Sequence, residues 1–153
     1  MTFQIDIESN SQSLQIPAVV DIERWISAAL NSQQLSQAEV SVYIVDNDES
    51  QTLNAQYRGQ DKPTNVLSFP ADLPEEVDIP LLGDLVVCAP VVEREAAEQG
   101  KSLAAHWAHM LVHGSLHLLG YDHIDDSEAE VMEALETTII VDLGFPAPYS
   151  ETN

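Results

Sequence analysis

Cysteine and basic residues are scarce in this sequence. Five Lys and Arg stand against 26 Asp and Glu in 153 residues, which gives a formal net charge of −21. A field of that sign repels polyanions, so the composition argues against nucleic acid and anionic membrane as partners. Cys88 is the single cysteine, which excludes an intramolecular disulfide and a disulfide-stapled secreted scaffold.

No apolar run reaches the length of about 18 residues that a membrane-spanning helix needs. The first residues, MTFQIDIESNSQS, also lack the basic and apolar regions of an export signal. We therefore expect a cytoplasmic protein with no membrane partner. A hydrophobic content of 44% is enough for a core, and no linker divides the chain, so residues 1–153 are expected to form a single domain.

The hydrophobic periodicity predicts a single α+β domain in which a mixed four-stranded sheet packs with about five helices. The acidic stretch 71–80 is expected to be a solvated loop between the last two strands. Strands are predicted at 2–8, 40–45, 66–69 and 83–88, and helices at 17–30, 48–57, 90–99, 103–119 and 127–143.

Polar residues mark the expected helix starts. Asp48 or Ser50 is the predicted cap of the second helix. Ser102 and Ser127 are the predicted caps of the last two helices.

The Pro-rich tail, 144–153, is expected to be loose. The last helix is expected to turn four residues toward the core: Val131, Leu135, Thr138 and Ile139.

The fourth predicted helix is apolar on nearly every side, which is typical of a buried central helix. All five histidines of the chain lie within 106–123, on this helix and the turn after it. His113 and His117 are four residues apart, so a helix presents both imidazoles on one face, one turn apart. Gly120 permits a sharp turn that brings His123 back as a third ligand.

Three imidazoles leave one coordination position open, as in a catalytic zinc site rather than a closed structural one. Neutral imidazole suits both Zn²⁺ and Ni²⁺. We therefore predict one Zn²⁺ per chain, with Ni²⁺ as the alternative metal, held by His113, His117 and His123.

Three further residues lie near these ligands. His109, one turn earlier, is a supporting partner of the ligands, a substitute ligand or a core histidine. Asp122 either orients a ligand imidazole or only forms the turn. His106 is expected to be structural.

The spacing His-x3-His-x2-Gly-x2-His also matches metzincin proteases. Those enzymes need Glu directly after the first His as a general base, and the residue here is Gly114. A zinc metalloprotease-like hydrolase is therefore an alternative rather than the main prediction. A non-catalytic ribosome-assembly module with a structural metal is the other alternative.

Three segments together resemble the YbeY family of bacterial metal-dependent endoribonucleases: NAQYRGQDKPTNVLSFP (54–70), GDLVVC (83–88) and HGSLHLLGYDH (113–123). The resemblance spans roughly residues 40–140. It implies a single α+β domain with a zinc-type metal on the three predicted ligands and Arg58 in the same cleft. It also implies a single-strand-specific endoribonuclease that acts in ribosomal RNA maturation, at the 3′ end of the small-subunit RNA, and in ribosome quality control. One departure is Asn65, where many relatives carry Asp.

The residues suit that activity. A divalent ion polarises a phosphodiester oxygen and activates the attacking water, with His113 and His117 as catalytic ligands. The planar fork of Arg58 can bind two phosphate oxygens, although a surface ion pair is the alternative role. Further candidates for substrate binding are Lys62, Asn65 and Ser68, and Tyr57 and Phe69 either stack on bases or belong to the core.

The negative charge is unevenly distributed along the chain. Eight acidic residues lie within 122–142 and five within 72–84, and neither window contains Lys or Arg. By contrast, 50–71 holds Arg58 and Lys62 against one acidic residue. We therefore expect weak, salt-sensitive binding to RNA, with the ribosome or small-subunit proteins, and another ribonuclease, as candidate partners.

Overall fold

The computed structural model describes residues 2–71, 80–122 and 124–149. Within them the predicted α+β fold is confirmed, with a four-stranded mixed sheet and five helices. The elements follow in the order β1 (Thr2–Ser9), α1 (Val19–Ser32), β2 (Gln37–Val45), α2 (Asn47–Arg58), β3 (Val66–Pro70), β4 (Leu81–Cys88), α3 (Ala89–Gln99), α4 (Leu103–Leu118) and α5 (Asp126–Asp142).

The sheet has the strand order β1-β2-β4-β3. The pairs β1–β2 and β2–β4 are parallel, whereas β3 runs antiparallel to β4. Alternate residues of β2, such as Val40 and Val42, are buried in the main core. Successive residues of β4 enter different clusters, since Leu85 joins the main core and Val86 a second cluster with Leu53 and Phe69. Both faces of the sheet are therefore covered.

Helix α4 is the buried central helix, as predicted. It contacts α1, α3, α5, β3 and β4, and its Trp107, Leu111 and Leu116 are fully buried. The predicted cap is confirmed, because the Ser102 hydroxyl oxygen accepts a hydrogen bond from the backbone N–H of Ala105. The apolar residues that pack around α4 thus fix the position of the helix that carries the histidines.

Two predicted helix caps are wrong. Helix α2 is capped at Asp46, whose carboxylate binds the chain before α1 instead of its own helix, by accepting the N–H of Gln12 at 2.9 Å. Ser50 is buried inside α2. Helix α5 begins earlier than expected, because the carboxylate of Asp125 accepts the N–H of Glu128, which leaves Ser127 within the first turn.

The buried face of α5 agrees with the prediction in part. Ile139 is buried and Leu135 packs against the core as predicted, whereas Val131 and Thr138 are exposed. The helix also buries Met132, Glu136 and Ile140, which follow one another at intervals of four residues. An acidic residue thus occupies the middle of the apolar face.

The prediction of a loose tail is wrong for its described part, residues 144–149, which packs against the domain. Phe145 packs edge-on against Trp25, with ring centroids 6.0 Å apart, and Tyr149 contacts α4 and α5. Most of the predicted acidic loop, 72–79, and the predicted ligand His123 lie outside the described residues. In the part of the chain that the structure covers, no helix combines the length and apolar character needed to cross a membrane.

Candidate active site

A cleft of about 670 Å³ lies between the C-terminal half of α4, strand β3 and the end of α2. Of the described residues, neither Lys62 nor His109 lines it. Lys62 is exposed beyond α2, and His109 is buried behind the cleft. The cleft brings together six of the predicted site residues: Arg58, Asn65, Ser68, His113, His117 and Asp122.

His113 and His117 are arranged as the helical spacing predicts. Both are half-buried and line the cleft, and their ring centroids are 4.6 Å apart. Gly120 then adopts φ of +102°, a left-handed conformation that a side chain would disfavour, and its N–H binds the carbonyl of His117. Two imidazoles on successive turns at the mouth of a cleft suit a single divalent ion.

A buried carboxylate outside the cleft contacts His113. Glu136 is 1% exposed, and both of its oxygens lie 3.3 Å from Nδ1 of His113. Its Oε1 also lies 2.7 Å from Nε2 of His109. Sequence reasoning missed Glu136, although its position four residues from both Met132 and Ile140 was a usable signal, because an acidic residue on an apolar stripe requires a buried partner.

Tyr149 completes this cluster from the tail. Its hydroxyl donates to Oε1 of Glu136 at 2.8 Å. Burial alone raises the pKa of the Glu136 carboxyl, but hydrogen bonds from His109 and His113 outweigh it and hold that pKa at about 2. Burial lowers the pKa of His109, and its Nδ1 has no hydrogen-bond partner among the described residues. Because an ionised carboxylate can only accept hydrogen bonds, Nε2–H of His109 donates to Glu136.

A second carboxylate, that of Glu95, binds Asn65 on another wall of the cleft. Nδ2 of Asn65 donates to Glu95 at 3.1 Å, and Nε2 of His106 lies 2.9 Å from the same carboxylate. The Asn65 side-chain oxygen accepts the N–H of Val66. Both polar atoms of Asn65 therefore bind protein groups, and the buried His106 holds the wall in place, consistent with a structural role.

Arg58 is the last residue of α2, which ends because Gly59 takes a left-handed conformation at φ of +70°. The guanidinium is exposed, and no carboxylate of the described residues lies within ion-pair distance of it. Beside it, Tyr57 is 61% exposed, so a core role for this ring is wrong. The Tyr57 ring instead stands edge-on to Phe69, at a centroid distance of 5.1 Å on the cleft wall.

Helix α4 lies close to the sheet at Gly114. A Cβ atom there would lie 2.9 Å from Cδ2 of Leu85, and the Gly114 carbonyl accepts a hydrogen bond from the Ser68 hydroxyl at 3.2 Å. A side chain at the position where metzincins carry their general base would therefore press against Leu85 and Val66. This observation counts against the metalloprotease alternative.

The cleft is electrostatically unlike the chain as a whole. Among its described lining residues, Arg58 is the only Lys or Arg and Asp122 the only carboxylate. The net charge of −21 is thus carried largely elsewhere. An anionic substrate meets a locally neutral cleft before any metal charge is counted.

Comparison with known proteins agrees with these observations. The sequence profile of the family described as Endoribonuclease YbeY matches residues 4–144. A curated relative from Cellvibrio japonicus (strain Ueda107), also described as Endoribonuclease YbeY, is 68% identical over 151 residues, covering 99% of this chain and 85% of the relative. The solution structure of TM1509 from Thermotoga maritima matches the fold with a TM-score of 0.60 at 27% identity, covering 98% of this chain and 99% of that one. The resemblance noted from the three sequence motifs is confirmed, and the chain belongs to the YbeY family of endoribonucleases.

Proposed function

We propose that this endoribonuclease cuts single-stranded RNA in the cleft between α4 and β3, and that it acts in maturation of the small-subunit ribosomal RNA 3′ end and in ribosome quality control. The observation that carries the proposal is the meeting of His113, His117 and Arg58 on one cleft, although α2 and α4 are far apart in sequence. The arrangement places two imidazole nitrogens that can bind a metal ion beside one guanidinium that can bind a phosphodiester.

The donor set fits a zinc-type ion. Glu136 occupies Nδ1 of His113, which leaves Nε2 of that ring as its metal donor. His117 adds a second imidazole, and His123 is the third proposed ligand. Zn²⁺ is the proposed metal, and Ni²⁺ also suits imidazole. When bound, such an ion supplies positive charge to a phosphodiester oxygen and makes a water more acidic.

Arg58 holds the scissile phosphate in this proposal. Its planar fork can bind two phosphate oxygens, and in the described structure its charge is not neutralised by a carboxylate. Binding there orients the phosphodiester and stabilises the charge that develops during cleavage. Ser68 and Asn65 shape the wall behind the phosphate, and Asp122 orients a ligand imidazole from the turn.

Charged residues outside the cleft govern the approach and the selectivity of RNA binding. Lys62 is exposed beyond α2 and adds a weaker phosphate contact on the approach. The acidic remainder of the surface opposes indiscriminate binding of RNA and suits basic small-subunit proteins, with another ribonuclease as a candidate partner in the cytoplasm.

The test combines metal analysis with cleavage of a single-stranded RNA that spans the small-subunit 3′ end. We expect about one zinc per wild-type chain, and cleavage that falls about 100-fold or more in Arg58→Ala while zinc is retained. His117→Ala should lose both. Arg94→Ala removes an exposed arginine of α3 that does not line the cleft and serves as the matched control.

Undiminished cleavage in both Arg58→Ala and His117→Ala would contradict the proposed site. The biological part of the proposal is tested in cells that carry His117→Ala, by mapping the 3′ ends of small-subunit ribosomal RNA. Unprocessed ends are expected there. Correctly matured ends would refute the role in ribosomal RNA maturation while leaving the nuclease site intact.

A further inference from the structure

Glu136 is a buried carboxylate without contact to the cleft. It is 1% exposed on the apolar face of α5 and is not among the described residues that line the cleft. Burial of an unpaired carboxylate is strongly unfavourable. Here the carboxylate meets three donors, from His109, His113 and Tyr149. Only one of these partners, His113, also lines the cleft.

The chemistry of a carboxylate determines which nitrogen of His113 carries the proton. An ionised carboxylate can only accept hydrogen bonds, so the ring nitrogen that faces it must be protonated. Nδ1 of His113 faces both oxygens of Glu136 at 3.3 Å. The lone pair of a neutral His113 then lies on Nε2, the nitrogen on the other side of the ring. A histidine without such a partner divides between the two tautomers.

We propose that Glu136 is the positioning residue of the metal centre, which holds His113 as its Nδ1–H tautomer and in the ring orientation that a metal ion requires. The inference rests on the proposed function, because it takes His113 as a ligand. Glu136 acts through His113 alone and touches neither metal nor RNA.

Two further residues hold the carboxylate itself. Nε2 of His109 lies 2.7 Å from Oε1 of Glu136, and the Tyr149 hydroxyl donates to the same oxygen at 2.8 Å. These contacts restrict rotation of the carboxylate about its last bond. The tail thereby supports the metal site, because Tyr149 lies in the segment that follows α5.

The decisive variant is Glu136→Gln, which has nearly the same shape. A carboxamide can donate as well as accept, so it no longer imposes one tautomer on His113. In metal-free protein, at a pH well above the ordinary imidazole pKa of about 6.5, ¹⁵N NMR should show His113 protonated on Nδ1 in the wild type and a mixture or reversal in the variant. Zinc affinity, measured by chelator competition, should fall by about 10- to 100-fold. Cleavage should recover at saturating zinc.

Glu130→Gln is the matched control. It removes one exposed carboxylate from the same helix and should change neither the tautomer nor the zinc affinity. If Glu136→Gln does not fold, Tyr149→Phe removes only one donor to the carboxylate from a residue that is 43% exposed, and should weaken zinc binding severalfold.

Two results would overturn the inference: a wild-type His113 protonated on Nε2, or zinc affinity unchanged in the Glu136 and Tyr149 variants. Failure of the proposed function looks different. In that case the wild type itself binds no zinc, and the positioning role falls with it. Wild-type zinc binding and cleavage with unchanged affinity in the variants would refute the positioning role alone.

Discussion

The side-chain amide of Asn65 donates to the carboxylate of Glu95 across 30 residues of chain, with Nδ2 3.1 Å from Oε1 and 3.3 Å from Oε2. Asn65 immediately precedes β3 and Glu95 belongs to α3, so this contact fastens one wall of the cleft. His106 of α4 lies 2.9 Å from the same carboxylate. The residue that the family resemblance leads us to expect at position 65 is Asp, which could not donate this hydrogen bond when ionised.

Asn65→Asp should therefore destabilise this particular protein. It replaces a donor by a second carboxylate next to Glu95, and we expect a loss of about 1–3 kcal/mol in the free energy of unfolding at neutral pH. Urea denaturation measures the loss. The double variant Asn65→Asp with Glu95→Gln should recover part of it, because the carboxamide can donate to the new carboxylate. Equal stability of wild type and Asn65→Asp would show that the contact contributes little.

Glu95 should contribute to the pH dependence of stability. The hydrogen bond from His106 lowers the pKa of its carboxyl below the ordinary value of 4.5; burial opposes this and Asn65 adds to it. The unfolded chain thus binds the proton more readily, so the contribution of Glu95 is complete above pH 4.5 and is lost as pH falls through the lower folded pKa.

The difference in unfolding free energy between wild type and Glu95→Gln should accordingly shrink as the pH is lowered from neutral through this window. Glu98→Gln, an exposed substitution on the same helix, should show no such trend. A difference that is constant with pH would assign the effect of Glu95→Gln to packing and not to its charge.

Gly114→Ala should destabilise the fold although alanine is the better helix former. Helix propensity favours alanine by about 1 kcal/mol. Against this, the new Cβ would lie 2.9 Å from Leu85 and 3.2 Å from Val66, both buried, and such overpacking costs about 1–3 kcal/mol. Thermal unfolding should show a net loss. The exposed Ala134→Gly measures the propensity contribution alone, and a stabilised Gly114→Ala would mean that α4 can move away from the sheet.

Tyr57→Ala should impair RNA binding more than turnover. The exposed ring offers a face to a base beside Arg58, and stacking contributes about 1–3 kcal/mol per base, so KM should rise roughly 5- to 150-fold with kcat little changed. Tyr57→Phe should behave as wild type. An RNA with an abasic nucleotide next to the cut should erase the difference between the wild type and the Tyr57→Ala variant. An unchanged KM in that variant on intact RNA would exclude stacking at this ring.

The sequence by itself determined the features that depend on short separations along the chain. The cap at Ser102 and the presentation of His113 and His117 on one face follow from hydrogen bonding and the pitch of a single helix. The buried character of α4 follows from its composition alone. These properties require no knowledge of what packs against the helix.

Only the tertiary structure decided which distant side chains meet. Glu136 reaches His109 across 27 residues and His113 across 23, because the buried face of α5 includes Met132, Glu136 and Ile140 beside the predicted Ile139. Arg58 shares a cleft with His113 and His117 because β3 contacts both α4 and, through Phe69, Tyr57 at the end of α2. Periodicity reports which residues of one element share a face, whereas the partners of that face are selected by the packing of all elements together, a property that no local pattern contains.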